Sequence, residues 1–168
     1  VILSELLGLS DVESSKLIRA SILHDWYKRK ERESANGVGF MAYKESEKKS
    51  EHGLIEYGIE LDVVGIAHSV GSTDLITIEN SEDVLKLAMH YIDDITSNTE
   101  IVEINERCDR LEKLERYKEW NEYGRTLYDG MTMFEKQRIV GVQVQNKLEN
   151  IISIEENTLT QLIKSKLL

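Results

Sequence analysis

Histidine and aspartate stand side by side in the stretch ILHDWYK, residues 22–28, directly after an apolar run. All four histidines of the chain lie in its first 90 residues. Neutral imidazole and carboxylate groups together are ligands for divalent ions such as Mn²⁺, Fe²⁺, Ni²⁺ or Zn²⁺. An ion held in this way generates a hydroxide near neutral pH and neutralises charge on a phosphoryl group. The side chains that would supply such a site are His24, Asp25, His52, His68 and Asp93.

The helix that carries the His-Asp pair is predicted to run from Ser10 to about Lys28. Ser10 lies three residues before Glu13, which is the spacing of a capping box at a helix N-terminus. The pair therefore falls in the last turn of this helix. The residues predicted to form its buried side are Val12, Ile18, Ile22 and Leu23.

Three more segments are predicted to position the remaining candidates. Residues 29–49 are polar and form the one long loop, after which a helix resumes near Ser50 and carries His52. The apolar stretch around His68 ends at Gly71. A strong helix with Ser81 as its N-cap then carries Asp93. Its predicted apolar stripe is Val84, Leu85, Ala88, Ile92 and Ile95.

The character of the chain changes after residue 98, where apolar positions at helical spacing are set among dense charges. Thr132 and Glu135 form a second capping box and predict another helix. Within it, IVGVQVQ also alternates like a strand, so helix and strand both remain open there. Proline is absent, which favours uninterrupted helices. The predicted fold class is all-α.

Composition excludes several classes of protein. The 168 residues carry 31 acidic and 21 basic side chains, for a net charge of −10. A field of that sign makes nucleic acid and anionic membranes unfavourable partners. The sequence contains no apolar run of about 18 residues, so no membrane span is predicted. Cys108 is the one cysteine, so no intrachain disulfide is possible and we expect a cytoplasmic protein.

The run LLGLSDVESSKLIRASILHDWYK, followed in order by EHG, GIAHS and LAMHYIDDI, resembles the HD-domain metal-dependent phosphohydrolases. That family is all-α and is named for an adjacent His-Asp pair, with a later Asp completing its primary metal site. The resemblance covers residues 1–97, which we expect to form the family's helical core. Residues 98–168 match no family pattern and are predicted to be a C-terminal helical extension packing on that core.

By this resemblance, His24 and Asp25 correspond to the name-giving pair and Asp93 to the later aspartate, with Asp94 its less favoured substitute. His52 and His68 correspond to the two extra histidines of members that bind a second metal. In such members the aspartate of the pair, here Asp25, bridges the two ions. The implied cofactor is one or two divalent ions, with Fe, Mn, Ni, Zn and Mg as candidates.

The sequence departs from the family pattern at two places. The family's first metal-ligand histidine precedes the pair, whereas no histidine precedes His24 here. Because the chain opens inside an apparent helix, we expect that histidine to lie upstream in the natural protein. In addition, Trp26 and Tyr27 stand where a small residue usually precedes the lysine, so Lys28 is retained beside a narrower pocket. Lys28 is the candidate phosphate contact.

These observations predict hydrolysis of a phosphate ester or anhydride in a phosphorylated small molecule, with nucleotides among the candidates. One alternative is a non-catalytic HD module that binds a nucleotide or a protein partner. Another is a structural helical interaction domain, in which the acidic second half meets a partner or a second copy as a homodimer. Individual histidines also have interpretations without a metal: His52 as a surface residue, His68 as a core residue and His90 as a structural or supporting residue.

Overall fold

The computed structural model describes residues 1–26, 40–71 and 75–167, with side chains from residue 48 onward in the second range. The first half contains helices α1 (Ile2–Leu6), α2 (Asp11–Leu23), α3 (Phe40–Glu56), α4 (Leu61–Ala67), α5 (Leu75–Glu79) and α6 (Val84–Ile95). The second half contains α7 (Ile104–Glu112), α8 (Lys118–Leu127), α9 (Met133–Ile152) and α10 (Leu159–Leu167). Single 3-10 turns occur at His68–Val70 and Glu115–Tyr117. The all-α prediction is confirmed.

A short β-ribbon, with two residues in each strand, lies between α6 and α7. Strands β1 (Thr96–Ser97) and β2 (Glu100–Ile101) pair antiparallel, with Thr96 opposite Ile101. Asn98 in the connecting turn has a φ of 55°, a left-handed conformation that asparagine adopts more readily than most residues. The ribbon turns the chain directly after α6, so that α7 returns alongside the end of α6.

Both predicted capping boxes are confirmed. Ser10 Oγ accepts from the Glu13 amide at 3.3 Å, and the Ser10 amide donates to Glu13 Oε2 at 2.9 Å. Thr132 and Glu135 make the same exchange at 3.2 and 2.6 Å. The ambiguous stretch IVGVQVQ lies inside α9 and is helical. Each box satisfies two backbone groups that a helix N-terminus would otherwise leave without partners.

The predicted cap of α6 is wrong by two residues. Asp83, not Ser81, is the N-cap, and its Oδ1 accepts from the amides of Leu85 and Lys86 at 3.0 and 3.3 Å. Ser81 Oγ instead accepts from the Asp83 amide at 3.1 Å. Serine and aspartate are nearly equal as N-caps, so residue type alone does not distinguish the two positions.

The predicted buried face of α2 is also wrong. Val12, Ile18 and Ile22 are exposed, and only Leu23 of the predicted four packs against the core. Leu17 and Ala20 are buried where α2 packs on α4 and α6. Ile18 and Ile22 are four residues apart and form a helical stripe of their own, which periodicity cannot distinguish from the true core face.

The ends of two helices also differ from prediction. α2 ends at Leu23 with His24 as its C-cap, and Lys28 lies outside the described residues. α3 begins at Phe40, ten residues before the predicted start near Ser50. Helix boundaries are the least certain part of a sequence-based assignment.

α9 is the central helix and packs against α5, α6, α7 and α8. Side chains from both predicted segments form one hydrophobic cluster, in which Tyr91 of α6 and Phe134 and Leu148 of α9 are almost completely buried. Burying one such side chain contributes about 1.5–3 kcal/mol relative to leaving it exposed. Within the described part of the chain, no helix has the length and apolar character needed to cross a membrane.

Gly124 permits the close crossing of α8 and the start of α9. A Cβ at this position would lie 2.1 Å from the Met133 amide nitrogen and 2.6 Å from the Thr132 carbonyl carbon. Because both obstacles are backbone atoms, Gly124→Ala is expected to lower the free energy of unfolding by about 2–3 kcal/mol. This cost exceeds the roughly 1 kcal/mol by which alanine favours a helix over glycine.

Urea unfolding of Gly124→Ala beside Gly53→Ala checks this prediction. Gly53 lies in α3, where a Cβ would meet nothing within 4 Å. The Gly53 variant is expected to gain up to about 1 kcal/mol from helix propensity. Equal stability of the two variants would show that the crossing tolerates a methyl group.

Candidate functional site

His24, Asp25 and Asp93 come together where the ends of α2 and α6 meet. His24 Nε2 lies 3.1 Å from Asp25 Oδ1 and 3.5 Å from Asp93 Oδ1. The side chains of His24 and Asp93 are 17% and 16% exposed, whereas that of Asp25 is 53% exposed. The structure therefore places three of the five predicted metal ligands in one half-buried cluster that is open to solvent at Asp25.

The orientation of His24 is set by its own helix. Its Nδ1 lies 2.7 Å from the Ser21 carbonyl oxygen, which can only accept a hydrogen bond. Nδ1 therefore carries a hydrogen, and Nε2 of the neutral ring directs its lone pair toward the two carboxylates. Nε2 thus lies on the side of the ring that faces two carboxylate oxygens, an arrangement that attracts positive charge. A backbone carbonyl on the far nitrogen is a common way to orient a metal-binding histidine.

Arg107 of α7 holds the other side of Asp93. Its Nη2 donates to Asp93 Oδ2 at 3.0 Å, and its Nε donates to the Thr96 carbonyl at 2.8 Å. Burial opposes the charged form of Arg107, but the carboxylates of Asp93 and Asp94 outweigh it, so the pKa of Arg107 is raised. The sequence analysis missed this residue. The available signal was its spacing, three residues after Ile104 and thus on the buried stripe of α7.

His90 and Asp94 form a buried pair beneath the cluster. His90 Nε2 faces Asp94 Oδ2 at 3.3 Å, and His90 Nδ1 lies 3.0 Å from the Ser69 carbonyl oxygen. Gln137 donates to Asp94 Oδ1 at 2.8 Å. Burial lowers the pKa of His90, but Asp94, the Ser69 carbonyl and Asp93 together outweigh it, so the pKa is raised. The structure thus places Asp93, rather than Asp94, beside His24.

The other two predicted ligands lie in different surroundings. His52 is 76% exposed on α3, where its Nε2 lies 3.4 Å from Glu56 Oε1. His68 is half-buried at the end of α4, and its pKa is lowered by burial, against an opposing effect of Glu51. No group of three or more His, Cys, Asp or Glu side chains among the described residues is arranged to hold a metal ion. The five candidates are thus not assembled as one preformed centre there.

Two aromatic side chains flank the pair. Trp26 follows Asp25 directly and packs edge-to-face on Tyr57, with ring centroids 5.5 Å apart. Trp26 is half-exposed and Tyr57 is largely exposed. Tyr27 and Lys28, the predicted pocket wall and phosphate contact, lie outside the described residues.

The single cysteine does not offer a second kind of site. Cys108 is buried in α7, and burial raises its pKa to about 12. The reactive form of cysteine is the thiolate, which is not populated near neutral pH at such a value. Nucleophilic thiol chemistry is therefore not supported.

Comparison with known proteins found no match to this chain among family models, curated proteins or solved structures. The resemblance to the HD-domain phosphohydrolases remains a prediction from the quoted motifs. Functional interpretation accordingly rests on the cluster itself, because a helical fold does not specify an activity.

Proposed function

We propose that the protein is a metal-dependent phosphohydrolase that cleaves a phosphate ester or anhydride of a nucleotide or a related small metabolite. The observation that carries this proposal is the convergence of His24 Nε2 on the carboxylates of Asp25 and Asp93. Asp93 is 68 positions beyond Asp25 in the sequence, yet both carboxylates lie beside the same ring nitrogen. These are the three residues to which the HD resemblance assigns the primary metal site.

The donor set fits a divalent cation in its chemistry. One imidazole and two carboxylates suit Mn²⁺, Fe²⁺, Ni²⁺ or Zn²⁺, and no thiolate is present to favour softer ions. The fit is incomplete within the described residues, because no group of three or more ligand-type side chains there is arranged to hold an ion. The proposal therefore requires a shift of these side chains when the ion binds, or a further ligand beyond the three.

Each residue of the cluster has a separate task in the proposed reaction. A bound divalent ion activates water near neutral pH and neutralises phosphoryl charge. His24 is held by the Ser21 carbonyl, and Asp93 is held by Arg107, so both are oriented before substrate arrives. Asp25 lies at the exposed side, where a substrate would approach. A locally positive site is needed because the net charge of −10 repels anionic substrates.

Metal binding and hydrolysis by the wild-type protein test the proposal. Protein purified without chelator or nickel affinity resin is titrated with Mn²⁺ and Zn²⁺, and metal per chain is determined by elemental analysis. Nucleoside mono-, di- and triphosphates and bis(p-nitrophenyl) phosphate serve as substrates. We expect at least one ion per chain and hydrolysis that is abolished by EDTA and restored by excess metal. Absence of both binding and hydrolysis would contradict the proposal.

A non-catalytic nucleotide-binding module is the second candidate. It is favoured by the lack of a preformed metal group among the described residues. In this case nucleotides would bind to metal-free protein and be recovered unchanged. Equilibrium dialysis with a radiolabelled nucleotide, with and without EDTA, distinguishes the two functions.

A further inference from the structure

We propose that Arg107 is the positioning residue of this site, holding Asp93 so that one carboxylate oxygen faces His24. This inference rests on the proposed metal site and extends it to the second half of the chain. Arg107 belongs to α7, which lies outside residues 1–97, the segment to which the HD resemblance applies. The site would then be incomplete without the C-terminal segment.

The guanidinium group of Arg107 is anchored at more than one point. Nε donates to the Thr96 carbonyl at 2.8 Å, and Nη2 donates to Asp93 Oδ2 at 3.0 Å. Thr96 is the C-cap of α6, so its carbonyl has a fixed place relative to Asp93 in the same last turn. A planar guanidinium with several donors transmits that fixed geometry to the carboxylate better than a flexible ammonium would.

Asp93 is consequently shared between two groups on opposite sides. Oδ2 accepts from Arg107, and Oδ1 faces His24 Nε2 at 3.5 Å. Arg107 is only 12% exposed and Asp93 only 16%, so water screens their attraction weakly. Loss of Arg107 would remove the guanidinium that Asp93 Oδ2 accepts from at 3.0 Å, and a largely buried carboxylate that loses such a donor turns toward solvent or another donor.

Asp94 limits where Arg107 can move on its other side. Arg107 Nη1 lies 4.0 Å from Asp94 Oδ1, which accepts from Gln137 Nε2 at 2.8 Å. Asp94 Oδ2 faces His90, and a Cβ on Gly141 would lie only 2.7 Å from that oxygen. Asp94 is therefore enclosed, and it provides a fixed second carboxylate against which Arg107 is held.

Manganese affinity separates a positioning role from a purely structural one. Arg107→Met, Arg107→Lys and Arg110→Met are compared with wild type, with Mn²⁺ as the probe and the EPR signal of unbound Mn²⁺ as the readout. Arg110 is the matched control, because it lies one turn later on α7, is more exposed and pairs with Glu100 and Glu106.

Removing a group that orients a metal ligand weakens metal affinity about 10- to 100-fold, and we expect a loss of that size in Arg107→Met. Arg107→Lys should recover part of the loss, and Arg110→Met should bind like wild type. An affinity in Arg107→Met within about threefold of wild type, or tighter, would overturn the inference. Should Arg107→Met not fold, Arg107→Gln is measured against the same criterion.

Crystal structures of metal-free wild type and Arg107→Met supply a second test that does not depend on metal binding. We expect the approach of Asp93 Oδ1 to His24 Nε2 to be lost in the variant. An unchanged Asp93 would overturn the inference even if the metal site is real. Wild type that binds no Mn²⁺ would instead refute the proposed function, while the comparison of Asp93 would still decide the role of Arg107.

Discussion

Glu149→Gln is expected to lower the free energy of unfolding by about 2 kcal/mol, and Glu149→Ala by about 4 kcal/mol. The Glu149 carboxylate is completely buried near the end of α9. It accepts hydrogen bonds from the backbone amides of Asn157, Thr158 and Leu159, at 2.8–2.9 Å, and from the Gln145 side chain at 2.8 Å. The Glu149 side chain therefore accepts the hydrogen bonds of three consecutive backbone amides at the start of α10.

The two substitutions remove different parts of this arrangement. A glutamine keeps one acceptor oxygen but presents an NH₂ group to an amide that itself donates, and it removes the charge that favours a helix N-terminus. An alanine leaves several amide donors without an acceptor, at a cost of about 1–3 kcal/mol for each buried one. The expected free energy of unfolding is therefore highest for wild type, lower for Glu149→Gln and lowest for Glu149→Ala.

Urea unfolding followed by circular dichroism measures these effects. Glu156→Gln is the matched control, because Glu156 is exposed in the same connection between α9 and α10. The control is expected to change the free energy of unfolding by less than about 0.5 kcal/mol. If Glu149→Gln matched the control, the hydrogen bonds of Glu149 would not anchor α10. The buried hydrogen bond between Tyr91 and Thr160, at 2.7 Å, would then still tie α10 to α6.

Local signals in the sequence predicted the starts of α2 and α9. Both capping boxes are short-range patterns whose partners are three residues apart, so Ser10–Glu13 and Thr132–Glu135 needed no knowledge of the fold. Gly8 follows the C-cap of α1 with a φ of 63°, a left-handed conformation that glycine adopts without strain. These features depend on backbone geometry within one turn, which the sequence specifies directly.

Features set by packing between helices were not predictable in the same way. α2 has two possible apolar faces, and only its contact with α4 and α6 selects the one with Leu17 and Ala20. Arg107 is one of the dense charges of its segment in the sequence, although it lies on the buried stripe of α7 and binds Asp93. A charged residue at a core position is tolerated only with a partner, and that partner is distant in sequence.

In the candidate site, too, one contact follows from local sequence and another depends on how the helices pack. Adjacent residues such as His24 and Asp25 share a turn, so their proximity follows from the sequence alone. The approach of Asp93 to His24 depends on how α6 crosses α2, which local patterns in the sequence do not specify. The structure does not extend this cluster to His52, which is exposed beside Glu56. A second metal position therefore remains a prediction from the resemblance.

Asp25→Ala is expected to abolish metal binding and to lower kcat/KM for the best substrate by roughly 1000-fold or more, as expected when a residue essential to the reaction is removed. The reason is that the substitution removes the Asp25 carboxylate, which faces His24 Nε2. Asp25 is also more exposed than Asp93, so substrate would approach the site from its side. The measurements are Mn²⁺ binding by EPR and initial rates with the substrate identified for wild type. Asp62→Ala is the matched control, since Asp62 is a similarly exposed aspartate that pairs with Lys16 away from the cluster.

Asp25 gives a sharper test than Asp93 because the two differ in burial. The Asp25 side chain is 53% exposed, so removing its contact with His24 should change the free energy of unfolding by no more than about 1 kcal/mol. Asp93 is largely buried and bound to Arg107, so its loss would weaken the fold and the site together. If Asp25→Ala is stable but inactive and Asp62→Ala is active, the loss of activity is due to the missing Asp25 carboxylate and not to unfolding. Full activity in Asp25→Ala would refute the proposed mechanism, because that mechanism requires the Asp25 carboxylate beside His24 Nε2.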